Sequence, residues 1–177
     1  MIMSVVCAKV YDDRIEIAAD SCIAIDDFVL PTTGFQKLFA VGDMLIGSAG
    51  LCEEITLMKS FLEKNKDEMP KDASFSSMIR LVREFYEYCK KYRGDISELK
   101  KPGDGERNLF LIVYKNRLYY VNGADVFEVE NYTAIGSGSE AANTAMYLGY
   151  SPEDAVKTAA ALNAFVRLPV VSYVIKK

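Results

Sequence analysis

Residues 4–20 read Ser4-Val5-Val6-Cys7-Ala8-Lys9-Val10-Tyr11-Asp12-Asp13-Arg14-Ile15-Glu16-Ile17-Ala18-Ala19-Asp20. Ser4 to Val10 is a mainly apolar run, and Arg14 to Ala19 is another. The polar Tyr11-Asp12-Asp13 between them is a short turn, so the whole stretch predicts a β-hairpin. The pattern recurs downstream. Leu38 to Val41 and Met44 to Ser48 are joined by Gly42-Asp43 and closed by Gly50. A Gly-Asp dipeptide between two apolar runs marks a tight turn. The chain therefore opens with antiparallel strands.

The periodicity then changes from two to between three and four. Glu53 to Lys64 places Ile55, Met58 and Leu62 on one face, with Phe61 beside them, which predicts a helix. Pro70 interrupts. Ser74 to Tyr92 carries Phe75, Met78, Ile79, Val82, Phe85, Tyr86 and Cys89 at helical steps. Arg80, Arg83, Glu84, Glu87, Lys90 and Lys91 fall on the opposite, solvated face, so a long amphipathic helix is expected. Gly94 to Arg107, with Pro102, Gly103 and Gly105, reads as a polar surface loop. Strands resume at Asn108 to Tyr114 and Arg117 to Val121 around Lys115-Asn116, with short ones at Val126 to Val129 and Tyr132 to Ile135. Gly136-Ser137-Gly138-Ser139 leads into a helix through Leu148. Ser151-Pro152-Glu153-Asp154 starts another, with a serine cap, proline at the first helical position and acids in the first turn; it runs to about Phe165. Val170 to Ile175 is a last strand. Strands and helices in separate blocks indicate an α+β fold. Two antiparallel sheets, each closed by a helix pair, make a four-layer αββα sandwich. The 177 residues fit one domain, 1–177.

Composition narrows the function. Lys and Arg total 21 and Asp and Glu total 25, a formal net charge of −4. That balance argues against a nucleic-acid partner, which selects a basic face. No apolar run approaches the ~20 residues of a membrane span, and the N-terminus has no signal-peptide pattern. Cys7, Cys22, Cys52 and Cys89 form no C-x-x-C pair, so zinc and redox motifs are unsupported. The chain reads as soluble, reduced and cytoplasmic. Histidine is absent. A histidine base, and with it the Ser-His-Asp triad, is excluded, so a hydrolase here needs another general base.

Five local patterns fall in order. Ser4 begins the first strand, and Asp20 ends the second in Ile17-Ala18-Ala19-Asp20-Ser21. Lys37 opens the third in Gln36-Lys37-Leu38-Phe39, and Gly50 closes the fourth in Gly47-Ser48-Ala49-Gly50. Ile135-Gly136-Ser137-Gly138 precedes a helix far downstream. Taken singly, each has a plain structural explanation: a turn aspartate, an edge lysine, a turn glycine, a helix-capping or anion-binding Gly-Ser run. In this order and spacing, the series resembles the proteasome β-subunit family, including the bacterial HslV peptidase, over nearly the whole chain.

The resemblance implies the N-terminal nucleophile hydrolase fold and a threonine-type endopeptidase mechanism with serine in place of threonine. In that scheme Ser4 is the nucleophile and its own freed α-amine is the base. Such an amine titrates near roughly 8, close enough to neutrality to replace histidine. Lys37 matches the lysine beside the nucleophile, Asp20 the carboxylate that pairs with it, and the Gly50 N–H the oxyanion-hole donor. Ser137 matches the serine that hydrogen-bonds the terminal amine, and Ser48 and Cys52 flank Gly50 where the family lines its first specificity pocket. No cofactor and no metal are implied. A homo-oligomeric ring or stacked rings, an ATPase unfoldase partner and a peptide or unfolded protein substrate are.

Three departures accompany the match. Met1-Ile2-Met3 precede Ser4, so its nitrogen is a peptide amide until they are removed, by autocatalysis or because translation starts at Met3. The family's distal aspartate and serine align with Asn163, a possible supporting residue, and Val166. Its glycine pair aligns with Arg167 and Leu168. The alternative expectation is therefore a catalytically inactive ring subunit with a structural or gating role. A relative that cleaves a small amide is a third reading.

Overall fold

In a computed structural model, residues 4–21, 23–25, 28–29, 35–93 and 108–177 are described. The leader at 1–3, Cys22 and the expected loop at 94–107 lie outside them. The elements follow in the order β1 (Val6–Val10), β2 (Arg14–Asp20), β3 (Ala24–Ile25), β4 (Phe28–Val29), β5 (Leu38–Val41), β6 (Met44–Ala49), α1 (Cys52–Lys64) and α2 (Phe75–Arg93). The second half adds β7 (Leu109–Tyr114), β8 (Arg117–Asn122), β9 (Asp125–Val129), β10 (Tyr132–Ile135), α3 (Ser139–Tyr147), α4 (Pro152–Leu162) and β11 (Val170–Lys176). The short pair β3–β4 is not expected from the sequence. The last helix stops at Leu162, three residues before the expected end at Phe165.

One sheet is four-stranded in the order β10-β1-β2-β11 and the other is a five-stranded meander, β5-β6-β7-β8-β9. Every pairing within them is antiparallel. Three apolar layers separate four structural ones. Val6, Ala8, Ile15 and Ile17 meet Leu45, Leu111 and Val113 between the two sheets. Met44, Ile46, Phe110 and Ile112 pack on α1 and α2 through Met58, Leu62, Met78 and Phe85. Val5, Cys7 and Ala18 pack on α3 and α4 through Ala142, Met146, Ala155 and Ala159. Neighbouring residues of one strand thus feed opposite layers, and a strand buried on both faces needs an unbroken apolar run. That is why Val5 to Ala8 and Leu109 to Tyr114 show no polar alternation. Small alanines on α3 and α4 let those helices lie close to the four-stranded sheet.

Turn chemistry sets the registers. Lys115 and Asn116 have φ of 43° and 66°, the left-handed pair that a two-residue hairpin needs, and Tyr114 pairs with Arg117 across it. Ser151 caps α4 by accepting a hydrogen bond from the Asp154 amide at 3.2 Å. The four-layer α+β architecture is as expected. Its consequence for chemistry is that the ends of β1, β2, β5 and β6 and the β10–α3 turn meet at one edge of the sandwich.

Candidate active site

Ser4 stands two residues before β1 and is 4% exposed. The β10–α3 turn wraps its backbone. The Ser4 amide donates to Ser137 Oγ at 3.3 Å, the Ser137 hydroxyl donates to the Ser4 carbonyl at 3.3 Å, and Gly138 N–H donates to the same carbonyl at 3.1 Å. Gly136 makes this approach possible. Its φ is +92°, and a Cβ there would lie 2.3 Å from the Ser4 carbonyl oxygen. Asn163, just past α4, supports the turn from behind. Its Nδ2 donates to the Ser137 carbonyl at 2.8 Å while its Oδ1 accepts from Phe165 N–H at 2.9 Å.

Asp20 is the hub. Its Oδ1 accepts from the Val5 amide at 2.8 Å and from Lys37 Nζ at 2.7 Å, and its Oδ2 accepts from the Arg167 amide at 3.3 Å. The amide next to Ser4 and the Lys37 ammonium therefore share one carboxylate oxygen. The pair is buried, with Lys37 6% and Asp20 0% exposed at the side chain. Two backbone donors and a cation give the buried carboxylate the partners that a charge without water needs. The contact with residue 167 runs through the backbone, so it does not draw on the Arg167 side chain.

Lys37 is fixed from its other end by Ser48. The Ser48 amide and hydroxyl both donate to the Lys37 carbonyl, at 2.9 and 3.0 Å. Ser48 is fully buried, so its hydroxyl is committed to this backbone contact. Gly50 follows at the end of β6 with φ of +145°. Cys52, the first residue of α1, is exposed. Partial burial raises its thiol pKa above the ordinary value, and the Lys37 ammonium opposes that shift, which places the thiol within the cation's electrostatic reach. Cys7, buried beneath α4, has its pKa pushed up by burial alone.

Ser4, Ser137 and Asn163 thus form one hydrogen-bonded group and Asp20 and Lys37 another, the two joined through the Ser4–Val5 peptide unit, and Ser48 joins through the Lys37 backbone. Gly50 and Cys52 lie at the adjoining β6–α1 junction. Val166 is buried in the α3–α4 layer. Sequence reasoning missed Asn108, a 2% exposed polar residue whose carboxamide bonds the β6–α1 junction. Its only signal was an asparagine opening a strongly apolar strand. Among the described residues no helix is long and apolar enough to cross a membrane.

An αββα sandwich with a nucleophile candidate at the start of its first strand is the proteasome-like, N-terminal nucleophile hydrolase fold. The relatives agree. The chain is 26% identical over 152 residues to proteasome subunit beta 2 of Pyrobaculum aerophilum, covering 83% of this chain and 70% of that one. It is similar to BPH of Thiobacillus denitrificans, with a TM-score of 0.79, 24% identity and 97% of both chains covered. The same protein in complex with epoxomicin matches at a TM-score of 0.69, with 23% identity and coverages of 97% and 98%. HslV from Trypanosoma brucei matches at 0.69, with 19% identity and coverages of 98% and 99%. No protein-family model matches the chain. The chain has the proteasome-like, N-terminal nucleophile hydrolase fold and is similar in sequence to a proteasome β subunit.

Proposed function

We propose that the protein is a proteasome-like endopeptidase in which Ser4, once Met1–Met3 are removed, is both nucleophile and bearer of the general base. The observation that carries this reading is the Asp20 carboxylate, which bonds the Val5 amide and the Lys37 ammonium through one oxygen. It sets a cation beside the residue whose hydroxyl must lose a proton.

The steps balance as acyl transfer. The Ser4 hydroxyl passes its proton to the Ser4 α-amine while Oγ bonds to the substrate's carbonyl carbon. The Gly50 N–H receives the developing oxyanion, the electrostatic contribution that dominates such reactions. The peptide C–N bond breaks and the leaving amine takes the proton. Water then attacks the Ser4 ester, returning the enzyme and releasing the acid. Lys37 stabilises the alkoxide, Asp20 holds Lys37, and the Ser137 hydroxyl accepts from the Ser4 nitrogen, an interaction available to an amine as well as to an amide. Asn163 positions Ser137. At the pocket Cys52 faces substrate, and Ser48 contributes by fixing the Lys37 backbone. A homo-oligomeric ring, with an ATPase partner delivering unfolded chains, fits the relationship to a proteasome subunit.

The second reading is a silent ring subunit with a structural or gating role. Val166, buried and apolar, favours it, because it brings no polar group to the neighbourhood of Ser137. Intact mass and peptide cleavage decide between them. The enzyme loses the mass of Met1–Met3, cleaves a fluorogenic peptide, loses that activity in Ser4→Ala, and binds epoxomicin as the Thiobacillus relative does. A retained leader on a stable oligomer without cleavage overturns the peptidase reading.

A further inference from the structure

We propose that Asn108 is a positioning residue that locks the β6–α1 junction and thereby fixes the Gly50 N–H in the orientation in which it meets an oxyanion. The orientation part rests on the peptidase reading above. The locking part rests on geometry alone.

The ladder between β6 and β7 runs from Met44↔Tyr114 to Ala49↔Leu109. The next rung would pair Gly50 with Asn108, but there the chain leaves the sheet to enter α1. The Asn108 carboxamide takes over from the missing backbone. Its Oδ1 accepts from the Leu51 amide at 2.5 Å and its Nδ2 donates to the Leu51 carbonyl at 3.3 Å. A primary carboxamide offers a donor and an acceptor side by side, as a peptide unit does, so one side chain continues the ladder for one residue. Leu51 sits at the N-cap position of α1 and makes no side-chain cap of its own. The bond from Asn108 is what its amide has.

Gly50 and Asn108 are mutually exclusive with any bulk between them. A Cβ on residue 50 would lie 1.6 Å from Asn108 Oδ1 and 2.5 Å from its Cγ, and the φ of +145° disfavours a side chain there in any case. The carboxamide occupies the volume that glycine leaves empty. Glycine alone is the most mobile residue for the task, since it adopts many conformations with little cost. An oxyanion donor works only if it is already aimed when charge develops. The β6–β7 ladder holds Ala49 on one side of Gly50, and Asn108 holds Leu51 on the other. The freedom that lets residue 50 adopt this conformation is thus removed by its neighbours.

The test is Asn108→Ala and Asn108→Asp, read by amide hydrogen exchange and by kinetics on the processed full chain. In Asn108→Ala, exchange at the Leu51 amide, which Asn108 Oδ1 holds, is expected to speed by at least about tenfold, while the amides of β2 and β7 keep their protection. Peptide hydrolysis is expected to lose roughly 10–100-fold in kcat with little change in KM, part of what deleting an oxyanion donor costs. Asn108→Asp keeps the acceptor for the Leu51 amide but sets an oxygen against the Leu51 carbonyl in place of the Nδ2 donor, so its exchange there should fall between the parent chain and Asn108→Ala. Unchanged exchange at Leu51 overturns the locking role. Faster exchange across the whole sheet shows a merely structural residue and overturns it too. If exchange changes as expected but kcat does not, the lock stands and the assignment of Gly50 N–H as oxyanion donor falls. If the parent chain cleaves no peptide at all, the peptidase reading falls while the exchange result still judges the lock.

Discussion

Replacing Asp20 with asparagine alters a single charge at a place water does not reach. The carboxylate has a 0% exposed side chain and accepts from the Val5 amide, Lys37 Nζ and the Arg167 amide. Asparagine has one acceptor oxygen and one NH2 group. Whichever way it is turned, the NH2 faces a donor, either Arg167 N–H or the Val5 and Lys37 pair. The Lys37 ammonium, 6% exposed, then loses the Asp20 counter-charge. Breaking one side of a buried ion pair costs about 3–5 kcal/mol. At roughly 2–4 °C per kcal/mol for a chain of this size, Tm should fall by roughly 6–20 °C. Lys37→Met should cost less, because Asp20 keeps two backbone donors. In the double variant the second substitution removes the cation that faces a neutral amide, so much of the Asp20→Asn penalty should disappear. A coupling energy of about 2–3 kcal/mol is expected, at the upper end for residues in contact. Urea and thermal unfolding by far-UV circular dichroism, at one protein concentration because self-association shifts Tm, give the cycle. A penalty under about 1 kcal/mol for Asp20→Asn, equal in the parent chain and in the Lys37→Met variant, would refute the account of the pair as a buried ionic hub.

Two further outcomes concern single groups. Burial raises the Cys52 thiol pKa and the Lys37 ammonium opposes it, so Lys37→Met should raise it further and leave less thiolate. Iodoacetamide labelling of Cys52 at pH 8, read by peptide mass spectrometry, should slow several-fold; an unchanged or faster rate would separate the two groups. Asp72, before α2, accepts from the Ser74 amide and the Ser77 hydroxyl. Hydrogen bonds from Ser74 and then Ser77 lower its pKa from 3.8 to about 2. A depressed carboxylate stabilises the fold above the unfolded value and loses that contribution as pH falls through the folded one. Asp72→Ala should therefore flatten the pH dependence of Tm between about pH 4 and 2 without altering its shape above pH 5. Solvent screening keeps the effect small, and identical acid profiles would remove Asp72 as a contributor.

The parts of this fold that sequence reveals are those whose cause is local. The 4–20 hairpin, the Lys115-Asn116 turn and the Ser151 cap each rest on residues within a few positions of one another. The stretches that become β1 and β7 were visible as strands from their apolar runs, though not that both faces are buried. Parts set by distant partners were not visible. The Asn163 side chain that follows the end of α4 bonds the Ser137 carbonyl, 26 residues earlier. Asn108 reads as the first residue of a strand and nothing more, because its partner, the Leu51 backbone, lies 57 residues away. Ser48 could be located beside the site but not assigned to the Lys37 carbonyl, since that depends on the β5–β6 register. The order of motifs pointed to the cluster. Which atoms bond which could come only from the three-dimensional arrangement.

Removal of Met1–Met3 has a specific chemical meaning under the proposed mechanism. With Met3 attached, the Ser4 nitrogen is an amide and cannot take a proton from the hydroxyl; once freed, it becomes an amine that titrates near roughly 8. The question is whether cutting the chain there would also release the hydroxyl from its place. The bonds that hold residue 4 argue otherwise. Its carbonyl is held by Ser137 Oγ and Gly138 N–H, and the following amide is held by Asp20. All three act on atoms C-terminal to the bond that is cut. Among the described residues, the nitrogen itself is bonded to Ser137 Oγ, and an amine can still donate that bond. Cleavage therefore changes the basicity of the nitrogen while leaving the anchors of the residue 4 backbone in place. On this account the leader controls protonation chemistry rather than folding. The unprocessed chain should then melt within a few degrees of the processed one while lacking activity, and a large loss of Tm on processing would contradict the argument.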